Sequence, residues 1–389
     1  MTAPRLVARF AASLASVDAA AWDACANCGS DPAEAYNPFV SHAFLTALER
    51  SGSVGGKTGW SPAHVLVEDA AGRLVAAAPA YLKSHSLGEY VFDQQWAQAF
   101  ERAGGRYYPK VQLSIPFTPV SGPRLLVAST APAESRAALI MALGRLREAA
   151  GASSIHATFA NSADMTAFGD AGFLARTGEQ FHFLNENYRD FDDFLNALAS
   201  RKRKAIKRER KEALGEDLSV ELLTGAALEP RHWDAFFAFY MDTGARKWGR
   251  PYLTRAFFDE IGRTMPERIL LIMAKRGDDY VAGAINFLGQ DAIYGRNWGA
   301  LIERPFLHFE ICYYQAIDYA IRQGFRRVEA GAQGEHKLAR GYRPATTHSA
   351  HDFADTRLKE AVGDYLIRER AAVAGMIGEY EEQLPFKRD

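Results

Sequence analysis

One order of predicted elements occurs twice along the chain, and this repeat limits the fold more than any other feature of the sequence. Each copy predicts a strand, two helices, a β-hairpin, a strand, a longer helix and a last strand, because apolar residues recur with the periods of these elements. The first copy covers 6–14, 17–27, 41–50, 63–82, 111–115, 133–150 and 154–159, and the second covers 218–223, 232–243, 254–263, 268–288, 292–298, 306–323 and 326–329. Such an alternation of strands and helices is typical of a mixed α/β protein.

The two copies differ in length. Trp22 matches Trp233 and Gly151 matches Gly324, but the spacing between matching residues falls along the chain. An insertion in the first copy, mostly within 84–130, explains this change. We therefore predict two domains that diverged from one repeated segment.

Composition agrees with two folded domains. The chain has 389 residues, 48% of them hydrophobic, and its 46 basic residues nearly balance its 47 acidic ones. This balance excludes a disordered chain and a polycation, so contact with nucleic acid would need a local basic patch. We expect neither a signal peptide nor a membrane-spanning run, and three cysteines are too few for a disulfide framework. The prediction is a cytoplasmic protein.

Cys25 and Cys28 form a C-x-x-C pair. No second pair and no His at zinc-finger spacing accompany them, so two small apolar residues on a helix are favoured over a metal or redox site. We expect no metal.

The repeated unit resembles the GNAT acyltransferase fold, and two such units with a basic helical stretch between them resemble the FemAB family of aminoacyl transferases. Residues 194–208 look like the segment that opens the second Fem-type domain, and residues 331–342 look like the loop in which that family carries a functional Lys. Four further segments resemble sequences of a FemAB-like branch of N-acyltransferases. They are 85–93 (HSLGEYVFD), 107–110 (YYPK), 294–299 (YGRNWG) and 308–315 (HFEICYYQ).

The resemblance implies two tandem GNAT-like domains with mixed sheets. Their expected ranges are 1–190 with the insertion, a basic helical connector at 191–215, a second domain at 216–356, and a C-terminal helix at 357–389 that packs across the repeat. The implied activity is transfer of an acyl or aminoacyl group to a primary amine of a small or cell-envelope precursor, such as a peptidoglycan intermediate. Two alternatives stay open, namely an acyl-CoA-dependent N-acetyltransferase and a non-catalytic module that binds a peptide or glycan.

The acyl donor is expected to be either aminoacyl-tRNA or acyl-CoA. GNAT enzymes hold the coenzyme A pyrophosphate in a glycine-rich loop that opens the helix after the fourth strand. Residues 301–308 read LIERPFLH and lack that loop, and residues 121–124 of the first copy lie well before its helix. This departure counts against acyl-CoA without establishing tRNA.

The loop after the last core strand concentrates ionisable groups between glycines. We expect Lys337 to stabilise an oxyanion or a donor phosphate, and Glu335 or Glu329 to accept the proton of the amine. Gln333, His336, Arg340 and Tyr342 are expected to bind substrate beside them. The alternative is a solvated turn held by its own salt bridges.

Two further groups of residues are expected to bind substrate. Arg296, Trp298, His308 and Glu310 would line the strand-end cleft of the second copy, where Arg296 could pair with Glu310. In the insertion of the first copy the expected residues are Lys83, His85, Tyr90, Tyr108 and Lys110. A structural ion pair and an insertion that packs its own aromatic residues are the alternatives.

The segment 201–211 is strongly basic. We expect Arg201, Lys204 and Arg208 to contact a phosphate or nucleic acid such as tRNA, and such contact would be salt-sensitive. A solvated helix between domains is the alternative, because few aromatic residues interrupt the basic ones. The sequence leaves the oligomeric state open.

Overall fold

The computed structural model describes residues 6–28, 36–247, 251–331 and 334–387, with side chains of 245–247 excluded. The strands are β1 Val7–Ala11, β2 Trp60–Pro62, β3 His64–Glu68, β4 Leu74–Ala78, β5 Ala80–Lys83, β6 Lys110–Leu113, β7 Leu126–Val127, β8 Ser154–Thr158, β9 Leu174–Leu184, β10 Leu218–Leu223, β11 Ile269–Arg276, β12 Asp279–Leu288, β13 Ala292–Ala300, β14 Arg327–Glu329 and β15 Arg343–Phe353. The helices are α1 Ala19–Ala26, α2 His42–Arg50, α3 Gln94–Arg102, α4 Ser135–Ala149, α5 Ser162–Asp170, α6 Phe191–Ala197, α7 Ser200–Leu214, α8 Pro230–Lys247, α9 Arg255–Thr264, α10 Leu307–Phe309, α11 Gln315–Gln323 and α12 Thr356–Glu382.

Packing divides the chain into two units. One consists of Met1–Gly178 and Thr346–Gly375, and the other of Glu179–Ala345 and Met376–Asp389. The divisions fall inside β9, β15 and α12. The domain boundaries expected at residues 190, 215 and 356 stay predictions.

The first unit contains two groups of paired strands. β1, β3, β4 and β7 neighbour one another in that order, and all pairs are antiparallel. In the second group β6 pairs with β8 in parallel, while β15–β8, β6–β5 and β5–β2 are antiparallel. Helix α4 packs its buried residues, including Leu139 and Leu143, into the core of this unit.

The second unit repeats this arrangement of parallel and antiparallel pairs. β10, β11, β12 and β13 form an antiparallel series, β13 pairs with β14 in parallel, and β14 pairs with β9 antiparallel. In each unit a helical segment connects the two parallel strands, namely α4 in the first and α10 to α11 in the second. The predicted mixed α/β class is confirmed.

Local sequence explains where the helices begin and end. Ser41, Asn161 and Asp190 accept hydrogen bonds from backbone N–H groups in the first turns of α2, α5 and α6, as N-cap side chains do. Helix α11 ends at Gly324, whose φ of 75° is easily reached only without a Cβ. The cores of both units consist mainly of the apolar runs expected from the sequence.

The structure differs from the sequence-based expectation at four elements, β15, β9, α3 and α6. β15 was missed because its inward residues are polar, with Ser349 and His351 both buried and hydrogen-bonded to each other. The sequence alone predicts two short strands at 173–176 and 181–184, and the structure has the single strand β9 there. The helix expected at 306–323 is present from Leu307 to Gln323, and its turn Glu310–Tyr314, between α10 and α11, is π-helical. α3 and α6 were also not predicted as helices of their own.

Helix α8 lies unusually close to β13 in the second unit. A Cβ added at Gly299 would lie 2.1 Å from the carbonyl oxygen of Phe239. The backbones can approach so closely only because residue 299 has no side chain. This contact fixes β13, the strand on which the candidate site is built.

We expect Gly299→Ala to lower the free energy of unfolding by about 1–3 kcal/mol, because the new methyl group overpacks against backbone that cannot rotate away. Gly144→Ala is the matched control, since a Cβ there meets nothing within 4 Å on α4. This control should stabilise the protein by up to about 1 kcal/mol through its helix propensity. Urea unfolding measures both, and equal effects would contradict the close packing.

Candidate functional site

The candidate site lies where β13 and β14 stop pairing. Their parallel register runs from Ala292 with Arg327 to Tyr294 with Glu329, where β14 ends. β13 continues to Ala300 and stays paired with β12 on its other edge. Among the described strands, none pairs with the freed edge of β13 beyond Tyr294. A polypeptide edge of this kind offers backbone groups to a ligand.

A β-bulge re-aims the strand at this point. Ile285 faces Asn297 and Asn286 faces Gly295, so Arg296 is an extra residue in β13. Bulges occur often beside active sites because the extra residue turns the strand locally. Here the bulge immediately follows the last residue paired with β14.

A cavity of about 60 Å³ fills the space between the parting strands and the helical segment above them. It is lined by Ala284, Ile285, Asn286, Gly295, Arg296, Asn297, Trp298, His308, Cys312, Tyr313 and Ala330. Trp298 and His308 also line a groove of about 620 Å³, together with Thr243, Ala300, Phe309 and the segment 302–306. The structure therefore brings together three of the expected residues, Arg296, Trp298 and His308.

A buried ion pair holds the π-helical turn Glu310–Tyr314 in place. Glu310 is fully buried. Its carboxylate accepts hydrogen bonds from Arg210 Nη2 at 3.0 Å and from Gln315 Nε2 at 2.7 Å. The pairing expected between Glu310 and Arg296 is therefore wrong, because Arg210 of α7 reaches the carboxylate instead. π-helical turns often occur at functional sites, and this one carries Cys312 and Tyr313 into the wall of the cavity.

Lys337 is buried near this cavity but is not among the residues that line it. It lies in the short 3₁₀ helix Glu335–Arg340, its side chain has no exposed surface, and Nζ donates to the carbonyl oxygen of Gly331 at 3.0 Å. Burial lowers the pKa of Lys337 to about 7, while Cys312 raises it and Arg296 lowers it by smaller amounts. None of the described residues lining the cavity is an Asp or Glu. The two cations thus favour a ligand that carries or develops negative charge.

The two acids expected to act with Lys337 contact other residues of the protein. Glu335 is exposed and accepts from Tyr380 OH at 2.9 Å, and buried Glu329 pairs with Arg327 at 2.9 Å. Neither acid lines the cavity, and their role as proton acceptors stays a prediction. Gln333 lies outside the described residues.

The remaining loop residues support the wall. The His336 ring lies 2.9 Å from Tyr313 OH, and Arg340 pairs with Glu209 at 3.0 Å while its guanidinium covers Phe309. Tyr342 is fully buried. These residues hold the turn that carries Lys337.

The basic residues expected in the first unit are neutralised internally. Lys110 Nζ lies 2.6 Å from Asp93 and 3.2 Å from Glu89, and Lys83 lies 3.4 Å from Glu89. Burial lowers the pKa of Lys83 to about 7. Burial also opposes the charge of Lys110, but the carboxylates of Asp93 and Glu89 outweigh it and raise its pKa.

The other three expected residues surround this ion cluster. His85 Nε2 lies 2.9 Å from the carbonyl oxygen of Thr58, and Tyr108 OH lies 2.8 Å from Ser86 Oγ. Tyr90 lies at the surface with a positive φ of 59°. The contacts of Lys83, His85, Tyr108 and Lys110 are those of a buried structural cluster, and their role in substrate binding stays a prediction.

The first unit closes its own strand gap. The parallel pairing of β6 with β8 ends at Leu113 and Ala157, but Gly122 N donates to Phe159 O at 3.0 Å and continues the pairing. Arg124 is fully buried there, and its guanidinium donates to the carbonyl oxygen of Thr158 at 2.9 Å. The chain itself therefore occupies the position that is a cavity in the second unit.

Helix α7 has a buried side and a basic exposed side. Ile206 and Ala213 are buried. Arg201, Lys204 and Arg208 are exposed and follow one face of the helix, and no ion pair joins them to any part of the chain that the structure describes. They form a continuous cationic surface.

Comparison with known proteins agrees with this architecture. The model of the FemAB-like family, described as peptidoglycan biosynthesis/recognition, matches residues 13–388. The crystal structure of FemX is similar with a TM-score of 0.54 and 13% identity, covering 91% of this chain and 100% of that one. The C-terminal domain of a candidate lysylphosphatidylglycerol synthetase from Agrobacterium fabrum has a TM-score of 0.54 and 10% identity, covering 91% and 96%. At these identities the two structures show the fold. No curated protein matches the chain.

Sequence reasoning missed Asn286, Cys312 and Tyr313. Asn286 is the one amide in the apolar strand β12, and such an isolated polar residue was a usable signal. Cys312 and Tyr313 lie in the segment 308–315, which resembles the family. A regular α-helix there gave no reason to expect these two side chains in the cavity wall. The structure also contains, within its described residues, no helix whose length and apolar character would suit a membrane crossing.

We expect Lys337→Met to change how stability depends on pH. Because folding lowers this pKa to about 7, the unfolded chain binds the proton more tightly, and wild-type stability should rise from about pH 7 to about pH 10 through this group. The rise attributable to Lys337 should be absent in Lys337→Met, which should be at least as stable near neutral pH. Urea unfolding across that pH range measures the difference. Parallel curves for the two proteins would show that Lys337 titrates normally.

Proposed function

Because the chain belongs to the FemAB-like family, we propose that it is an N-acyltransferase that moves an aminoacyl group from aminoacyl-tRNA to a primary amine of a cell-envelope precursor. The observation that carries this proposal is the cavity where β13 and β14 part, which Arg296 and His308 line and near which Lys337 is buried. A reaction that passes through an oxyanion suits such a site.

In the proposed reaction an uncharged amine attacks the ester carbonyl of the donor. A C–N bond forms, negative charge develops on the carbonyl oxygen, and protonated Lys337 with Arg296 stabilises that charge. The C–O bond to the ribose then breaks, and the amine proton passes to the leaving oxygen. His308 lines both the cavity and the groove and is our choice for carrying this proton, since Glu329 and Glu335 line neither.

Two features support tRNA over acyl-CoA as the donor. The segment 301–306 supplies no glycine-rich phosphate loop, and its one basic residue, Arg304, is paired with Asp217 at 2.7 Å. The exposed face of Arg201, Lys204 and Arg208 matches the charge of an RNA backbone. A cytoplasmic location is part of the same proposal, because aminoacyl-tRNA is the donor.

Lys337→Met is expected to lower kcat/KM by about 10²–10³, the usual effect of removing one oxyanion donor. Activity is measured with alanyl-tRNA, glycyl-tRNA and acetyl-CoA as donors and a muramyl peptide with a free amine as acceptor. Exposed Lys57→Met is the matched control and should keep wild-type activity. Product from acetyl-CoA alone would favour the N-acetyltransferase, and peptide binding without any product would favour the non-catalytic module.

The pH profile gives a second test of Lys337. Since its pKa is lowered to about 7, its contribution to kcat/KM should fall as pH rises through this value and the ammonium loses its proton. Lys337→Arg stays protonated and should lack that fall, although its rate is lower. A fall of the same size in both proteins would assign the titration to another group.

Replacing Arg201, Lys204 and Arg208 by Ala should weaken tRNA binding and lower its dependence on salt. Three lost phosphate contacts reduce the slope of log affinity against log salt by about 2–3. The matched control replaces three exposed arginines elsewhere, Arg102, Arg145 and Arg368, by Ala. Filter binding between low and moderate salt measures both slopes, and equal slopes would remove α7 from the tRNA site.

A further inference from the structure

The side-chain amide of Asn286 has a fixed orientation at the inner end of the cavity. Its Nδ2 donates to the carbonyl oxygen of Leu270 on β11 at 3.3 Å. A carbonyl oxygen can only accept, so this contact fixes which end of the amide is the oxygen. Oδ1 consequently points toward β13, 3.2 Å from where a Cβ of Gly295 would be.

That oxygen has no hydrogen-bond partner within the described part of the chain. Asn286 is 0% exposed, lines the cavity, and its Oδ1 is an unsatisfied buried acceptor. Buried acceptors without a partner are rare in folded proteins because they lose hydration and gain nothing in exchange. Residue 295 has no side chain, so none separates this oxygen from the backbone of β13.

The charges around the cavity restrict what that donor can be. Arg296, His308, Cys312 and Tyr313 line it, and Lys337 lies near it, whereas Glu329 does not line it and pairs through Oε1 with Arg327 of its own strand β14. A cationic donor would be repelled by the two positive side chains. An uncharged N–H donor satisfies Oδ1 without that repulsion.

We propose that Asn286 Oδ1 accepts a hydrogen bond from a primary amine of a substrate and that the site holds this amine uncharged. The inference rests on the proposed function, because an uncharged amine is the form that attacks a carbonyl. The cavity of about 60 Å³ admits only a few heavy atoms, so the amine belongs to the reacting end of its molecule. Either the α-amino group of the donor or the amine of the acceptor has this chemistry.

Binding of small probes tests the proposal without turnover. Calorimetry or NMR near pH ~8.5, where an α-amine is mostly uncharged, compares alaninamide with propionamide, which differ only by the amine. Wild type should bind alaninamide about 5-fold more tightly, the usual effect of one hydrogen bond. Propylamine against propanol is the second arm, run near pH ~10.5 where about half of an alkylamine is uncharged, and it represents an acceptor amine with no neighbouring carbonyl.

The variants separate a binding role from a structural one. Asn286→Ala should abolish the preference for the amine, and Asn286→Asp should move the best amine binding to lower pH, because a carboxylate favours the ammonium form. Exposed Asn196→Ala is the matched control and should keep the wild-type preference. Circular dichroism and urea unfolding confirm that each variant is folded.

The arms also identify the source of the amine. A preference in the alaninamide arm assigns the amine to the donor, and one only in the propylamine arm assigns it to the acceptor. No preference in either arm, or a preference that survives in Asn286→Ala, overturns the proposal and leaves a water molecule as the partner of Oδ1. Amine binding without any acyl transfer would instead reject the proposed function alone.

Discussion

The site depends on the different lengths of two neighbouring strands. β14 ends at Glu329, whereas β13 continues for six more residues to Ala300. Polar groups along a strand edge must find partners, from protein, water or ligand. In the second unit a cavity, and not another described strand, lies beside this edge of β13. The bulge at Arg296, the π-helical turn and the buried Lys337 are each arranged around that gap.

The first unit has the same break between parallel strands and resolves it differently. Its chain returns at Gly122 to continue the pairing with β8, and buried Arg124 supplies the remaining donors to backbone carbonyls. A guanidinium with its hydrogen bonds made to carbonyl oxygens has little left to offer a ligand. One strand arrangement has thus become a filled structural element in one unit and an open cavity in the other.

Periodicity in the sequence predicted most of the fold because most elements bury apolar residues. It failed at β15, where the inward positions carry Ser349 and His351, and hydrogen bonds replace apolar packing. The candidate site was predicted in part, since Trp298 lies near the end of β13 and His308 at the beginning of the helical segment that follows it. Asn286 was missed: the sequence shows an isolated amide in an apolar strand, but only the structure shows that its Oδ1 has no hydrogen-bond partner among the described residues.

Two buried lysines with similarly lowered pKa values illustrate why a pKa alone does not identify a site. Lys83 and Lys337 both titrate near 7 because of burial. Lys83 has Glu89 at 3.4 Å and shares that carboxylate with Lys110, so its charge is balanced within the protein. Lys337 has a carbonyl oxygen as its partner and Arg296 as a charged neighbour, and within the described residues no carboxylate pairs with it. That difference in partners, and not the shift itself, is the physical reason to locate the chemistry in the second unit.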